Sequence, residues 1–118
     1  MIEVKPDENS NTVYTIAVDT LTVEDMRKVL PVIEQKIDKY GKAKWYFEMN
    51  NFKGWEMKAF WDDIKFDLRH ANDYERVAIV GEKKWQEWMT QIMKPFTDSD
   101  IRYYDIAERE DAKAWLQK

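Results

Sequence analysis

The chain reads as one α/β domain: a mixed, mostly parallel sheet of about five strands with an N-terminal hairpin, in the order β-β-α-β-α-β-α-β-α. Three observations point there. Short β-branched or continuously apolar runs alternate with longer runs of helical period, which is the pattern of βαβ units with right-handed crossovers. Two strand-like runs at the start are separated only by the turn cluster "DENSN", too short for a crossover. The 118 residues carry 44% hydrophobic and 36% charged side chains, the balance of an ordinary globular domain, and no linker, repeat or low-complexity stretch divides residues 1–118.

Taken in order, "IEVK" (2–5) alternates and is closed by Pro6, and "TVYTIAVD" (12–19) alternates with β-branched residues, so the two form the hairpin. Thr22 is placed to accept from the backbone N–H three residues on, and Glu24 and Asp25 suit a first helical turn. Met26, Val29, Leu30, Ile33, Ile37 and Tyr40 then recur at helical spacing, and Gly41 stops the run as a C-cap. Pro31 lies inside this helix and removes one ladder bond, so a bend is expected near Arg27. "AKWYFEM" (43–49) is apolar through its centre, as a strand covered on both faces would be. A helix is expected over 55–72, a buried strand at "ERVAIVG" (75–81), and a helix over 83–94 with Trp85, Trp88, Met89 and Ile92 on one stripe, stopped by Pro95. "IRYYDI" (101–106) is the last strand. A C-terminal helix follows with Ala112, Trp115 and Leu116 inward.

Composition narrows the function classes. The net charge is −4 with both signs interspersed and no basic tract, so nucleic acid is not an expected partner, nor is an anionic membrane surface. The absence of cysteine removes disulfides, thiolate catalysis and cysteine metal sites. The first residues lack the apolar run of a signal peptide, and no window has the length of a transmembrane segment, so a cytoplasmic location is expected.

Catalytic motifs are poorly supplied. Asp63, Asp67 and His70 share one side of the 55–72 helix, but no second cluster completes a coordination shell, and a solvated charged face explains them. The only serines, Ser10 and Ser99, lie in turn clusters without a partner base. Glycines at 41, 54 and 81 are too far apart for a phosphate-binding loop. The adjacent acids Asp62 and Asp63, and Glu108 with Glu110 and Asp111, suit surface helices. No enzyme activity, cofactor or metal is therefore expected.

The stretch "NNFKGWEMKAFWDDIKF" is more informative. On a helical wheel begun at Trp55, a broad stripe including Met57, Phe60, Trp61, Ile64 and Leu68 is the expected core face, while Trp55, Ala59 and Phe66 fall together on the opposite side. One packed face needs one stripe. The second calls for a contact beyond the core, or else Trp55 still belongs to the loop and tucks under residues 50–54. Asn51, Phe52, Trp55, Ala59 and Phe66 are the candidate ligand or interface residues. The occupants left open are a second copy in a homodimer, a small hydrophobic ligand or a protein partner.

The segments "YFEMNNFKGW", "AFWDDIKFDLRHANDYERVAIVGEKKWQEW", "MKPF" and "IRYYDIAEREDAKAWL" together resemble the SpoIIAA-like family over nearly the whole chain. These small bacterial domains are related to STAS domains and, more distantly, to the CRAL-TRIO (SEC14-like) lipid-binding fold. The resemblance implies the same β-α alternation after a hairpin. It suggests two kinds of function: a binding or interaction module, or a STAS-type regulatory switch. Typical STAS regulators carry a phosphorylatable serine after the third strand, in a D-S-S-G type turn. Here "MNNFKGWEMKAF" has neither serine nor threonine, so the switch lacks its usual residue.

Overall fold

The computed structural model describes residues 1–55, 73–82 and 100–118. Its sheet starts as expected. β1 (Ile2–Pro6) and β2 (Thr12–Leu21) are antiparallel, with Val4 opposite Thr15, and residues 7–11 form the connecting turn. Asp7 organises that turn by accepting from the Asn9 N–H and the Ser10 hydroxyl. Lys36, on the helix that follows, donates to the carbonyls of Asp7 and Ser10 and ties the turn to it.

α1 (Val23–Tyr40) begins and ends on side-chain and backbone chemistry visible in the sequence. The Asp25 N–H donates to Thr22 Oγ1 at 3.2 Å while the Thr22 N–H donates to Asp25 Oδ2 at 3.0 Å, a reciprocal capping box. Gly41 takes φ 86°, a conformation costly for a residue with a Cβ, and its N–H closes on the Ile37 carbonyl. The helix runs continuously through Pro31. Met26, Val29 and Ile33 are buried and Leu30 and Ile37 partly so. Tyr40, expected on the same stripe, is 42% exposed, its ring lying beneath the ammonium groups of Lys36 and Lys39.

β3 (Ala43–Trp55), β4 (Tyr74–Gly81) and β5 (Asp100–Asp105) add in parallel, so the sheet order is β1-β2-β3-β4-β5. Successive side chains of a strand point to opposite faces, so β3 feeds two cores. Trp45, Phe47 and Met49 join Val13, Ala17 and Val77 beneath α1. Tyr46 joins Ala78 and Val80 on the other face, under α2 (Arg109–Leu116), where Ala112, Trp115 and Leu116 point inward as expected. Ile106, expected to close the last strand, instead opens a 3-10 turn (Ile106–Glu108) capped by the Asp105 side chain.

Two expectations are corrected at the end of β3. Residues 50–54 are not a loop, and Trp55 is not the first residue of a helix. The strand continues to Trp55, paired with β2 as far as Leu21. The polar and glycine residues that suggested a turn are absorbed as bulges: the pairing skips Asn51 and Lys53, with register shifts on either side of Asp19. Asn51 (φ 49°) and Asp19 (φ 65°) take the left-handed conformation, which asparagine and aspartate tolerate better than other side chains. The rest of the expected 55–72 helix, and the helix over 83–94, lie outside the described residues.

Asp25 provides a pH test of this architecture. Burial works to raise its pKa, but the Thr22 N–H, the Met1 ammonium at 3.0 Å and the Thr22 hydroxyl outweigh it and hold the carboxyl below the usual aspartate value of 3.8. A depressed folded-state pKa contributes stability that is present above the unfolded value and lost as pH falls through the folded one. Urea melts should therefore show the stability difference between wild type and Asp25→Asn shrinking as pH falls from about 5 to about 2. Thr22→Ala, which removes one half of the box, should cost about 1 kcal/mol at neutral pH in the same assay.

Candidate functional site

Open α/β sheets place their ligand crevices outside the carboxyl ends of parallel strands. Here that end has an unusual shape. β3 and β4 pair only as far as Glu48 and Val80, whereas β3 and β2 stay paired to Trp55 and Leu21. β3 therefore parts from β4 at Glu48 and continues with β2 alone. Across the resulting fork the Asn51 N–H donates to Glu82 Oε1 at 3.3 Å, just beyond the end of β4. Lys53 and Asp19 form an exposed ion pair at 3.6 Å on the bulged edge.

Glu48 lies where the strands diverge and is only 2% exposed. It shares the α2-facing side of β3 with Tyr46, two residues earlier. The Tyr46 hydroxyl donates to Glu48 Oε1 at 2.5 Å. Arg109, the first residue of α2, has its Nε 3.8 Å from the same oxygen, but it donates to the Ile106 carbonyl at 3.2 Å. Among the described residues, Oε2 of Glu48 is buried with no hydrogen-bond partner. Burial, the hydrogen bond to Glu48 and the charge of Glu48 together push the Tyr46 phenol well above its ordinary pKa. Tyr46 therefore stays a protonated donor, and the Lys113 ammonium lies 5.5 Å from its ring centre.

What this arrangement can offer chemically is a hydrogen-bond acceptor. One carboxylate oxygen is held by a permanent donor, the other is oriented and empty-handed, and a half-exposed guanidinium stands beside it. An N–H or O–H group reaching Oε2 would gain a charge-assisted bond in a low-dielectric setting. Among the described residues no three His, Asp or Glu side chains gather as a metal site. Ser10 is fully engaged, donating to Asp7 Oδ2 and accepting from the Thr12 N–H.

Of the residues chosen from the sequence, Asn51 is exposed at the fork, and Phe52 and Trp55 pair through their backbones with Asp19 and Leu21. Trp55 thus belongs to the strand and not to a helical stripe with Ala59 and Phe66. Those two residues, with Asp63, Asp67 and His70, lie outside the described residues. The residues that sequence reasoning missed are Glu48, Tyr46 and Arg109. A signal for the first two was present: an acid enclosed in the apolar run "WYFEM", with a tyrosine two residues earlier on the same face. Nothing local could have indicated Arg109, which arrives from the other end of the chain.

A family model described as SpoIIAA-like matches residues 12–117. The fold is similar to the crystal structure of an uncharacterized protein with a SpoIIAA-like fold from Shewanella loihica PV-4. The two share 27% identity at a TM-score of 0.77, covering 98% of this chain and 92% of that one. Among curated proteins no sequence matches.

Among the described residues Tyr46 is the one donor that holds Glu48 by a hydrogen bond, so Tyr46→Phe removes that bond from a buried carboxylate. The variant should lose about 1–3 kcal/mol in a urea melt, more than removal of an exposed tyrosine hydroxyl would cost. An unchanged midpoint would mean that the Tyr46–Glu48 hydrogen bond contributes nothing to stability.

Proposed function

The chain belongs to the SpoIIAA-like family, and from that premise and the geometry of Glu48 we propose that it is a binding module rather than an enzyme. Its contact region is the fork at the carboxyl end of β3. The observation that carries this reading is the unpartnered Oε2 of Glu48. Buried polar atoms in native proteins are nearly always paired, because an orphan costs on the order of 1–3 kcal/mol and a charged one more. Stability alone gives no reason to keep a carboxylate at this position. Such strain is typically retained where a binding partner supplies the missing bond.

The occupant this site suits is a mainly apolar molecule or protein segment that presents one N–H or O–H donor. The donor meets Oε2, and the bulged strand end at residues 50–55 forms the rim. The cross-strand neighbours of Glu48 are apolar: Val80 pairs with it on one side and Ile16 on the other. A ligand of this kind agrees with the small hydrophobic occupant that the sequence left open. A phosphorylation switch of the STAS type finds no hydroxyl in residues 49–60.

Glu48→Gln separates a binding role from a structural one. The substitution keeps the shape and removes the buried charge, so the variant should melt at the same temperature as wild type or higher. Native mass spectrometry of the purified proteins, before and after denaturation, should show a releasable mass of a few hundred daltons with wild type and little or none with Glu48→Gln. A variant that melts several degrees lower, while wild type carries no added mass, would make Glu48 a structural residue and remove the basis for this reading.

A further inference from the structure

β1 is the edge of the sheet, and its free side has a defined hydrogen-bonding pattern. Met1 and Val18 exchange both backbone bonds, at 3.1 and 2.9 Å, and the Asp7 N–H donates to the Thr12 carbonyl. Antiparallel pairs alternate between bonded and unbonded positions. With Ile2 opposite Ala17 and Pro6 opposite Val13, the groups of Met1, Glu3, Lys5 and Asp7 are therefore directed at β2. The N–H and C=O of Ile2 and Val4, and the carbonyl of Pro6, face away from the sheet. Pro6 thus removes no bond within the hairpin. Glu3 and Lys5 are both exposed, on the sheet face opposite to Val4, and neither takes part in an ion pair among the described residues.

We propose that β1 pairs antiparallel with β1 of a second copy of the chain, about a two-fold axis at Val4, joining the two sheets into one. The charge pattern selects that register. A two-fold pairing that satisfies the outward groups can be centred on Glu3, Val4 or Lys5. Centring on Glu3 places two glutamates face to face, and centring on Lys5 does the same with two lysines. Centring on Val4 places Glu3 of each copy against Lys5 of the other, in the unbonded positions where side chains approach most closely. In that register Val4 exchanges both backbone bonds with its counterpart, and the Ile2 N–H of each copy reaches the Pro6 carbonyl of the other. A short strand pair buries less surface than a permanent dimer does, so the association is weak and reversible. This inference is independent of the Glu48 reading.

Sedimentation equilibrium of the full chain over about 10 µM to 1 mM covers the range in which so small an interface dissociates. Wild type should show a monomer–dimer equilibrium, and the amide protons of Ile2 and Val4 should exchange more slowly as concentration rises. Glu3→Lys and Lys5→Glu should each weaken self-association by about tenfold or more, because each puts like charges at both facing positions. An equimolar mixture of the two variants should associate again, as should the double variant Glu3→Lys/Lys5→Glu. Both sites are exposed, so melting temperatures should stay close to wild type. Two results would overturn the proposal: a wild-type chain that remains monomeric across the range, as a charged edge built only to block pairing would be, or a dimer indifferent to both charge reversals.

Discussion

The double burial of β3 is the constraint on which the rest of the structure depends. Its central residues pack against α1 on one side and α2 on the other, while β2 and β4 hold its two edges. Those central residues, enclosed on four sides, have little access to water. Every polar group on them must find a partner inside the protein or remain unsatisfied. Most do. The Trp45 indole N–H donates to Thr15 Oγ1, and that hydroxyl donates to the Tyr46 carbonyl, so the two exposed faces of the problem are closed by one buried threonine. Among the described residues Glu48 is the exception, with one oxygen matched and one not.

The position of that exception follows from how the sheet ends. A strand of 13 residues lies beside one of 8, and the shorter runs out first. The mismatch creates the fork, and the fork falls one residue after Glu48. Bulges at Asn51 and Lys53 then let β3 follow β2 through extra twist without β4 to support it. The carboxylate and the rim beside it thus share one origin, the unequal length of neighbouring parallel strands. At the other margin of the sheet, β1 presents a self-complementary charge pattern. The two features lie on different strands.

Much of the fold was legible in the sequence because it rests on local regularities. The capping box of α1 needs only Thr22 and Asp25 three residues apart, and Gly41 needs only a residue free to take positive φ. The hairpin, the continuous run of β3 and the inward triad Ala112, Trp115 and Leu116 were readable from period and composition. The errors came where local chemistry and tertiary pairing disagree. "NNFKGW" has the composition of a turn, yet pairing with β2 draws it into the strand, since backbone hydrogen bonds with an available edge outweigh the weak preferences of Asn and Gly. Trp55 was consequently misplaced on a helical wheel to which it does not belong.

The sequence by itself determined the five strands and the two described helices, the hairpin, the ends of α1, and the lack of cysteine and of a glycine-rich phosphate loop. These depend on residue type and short spacing. It also held Glu48 in plain view inside an apolar run without revealing what surrounds it. Only the tertiary structure decided that β4 stops beside it, that Arg109 arrives from 61 positions further along at 3.8 Å, and that Oε2 receives no bond from the described residues. Whether a buried acid is satisfied depends on groups remote in sequence and on ångström distances, and no local pattern encodes either. The same holds for the edge of β1: the alternation of Glu3 and Lys5 is written in the chain, but that it faces outward is settled by the order of the strands.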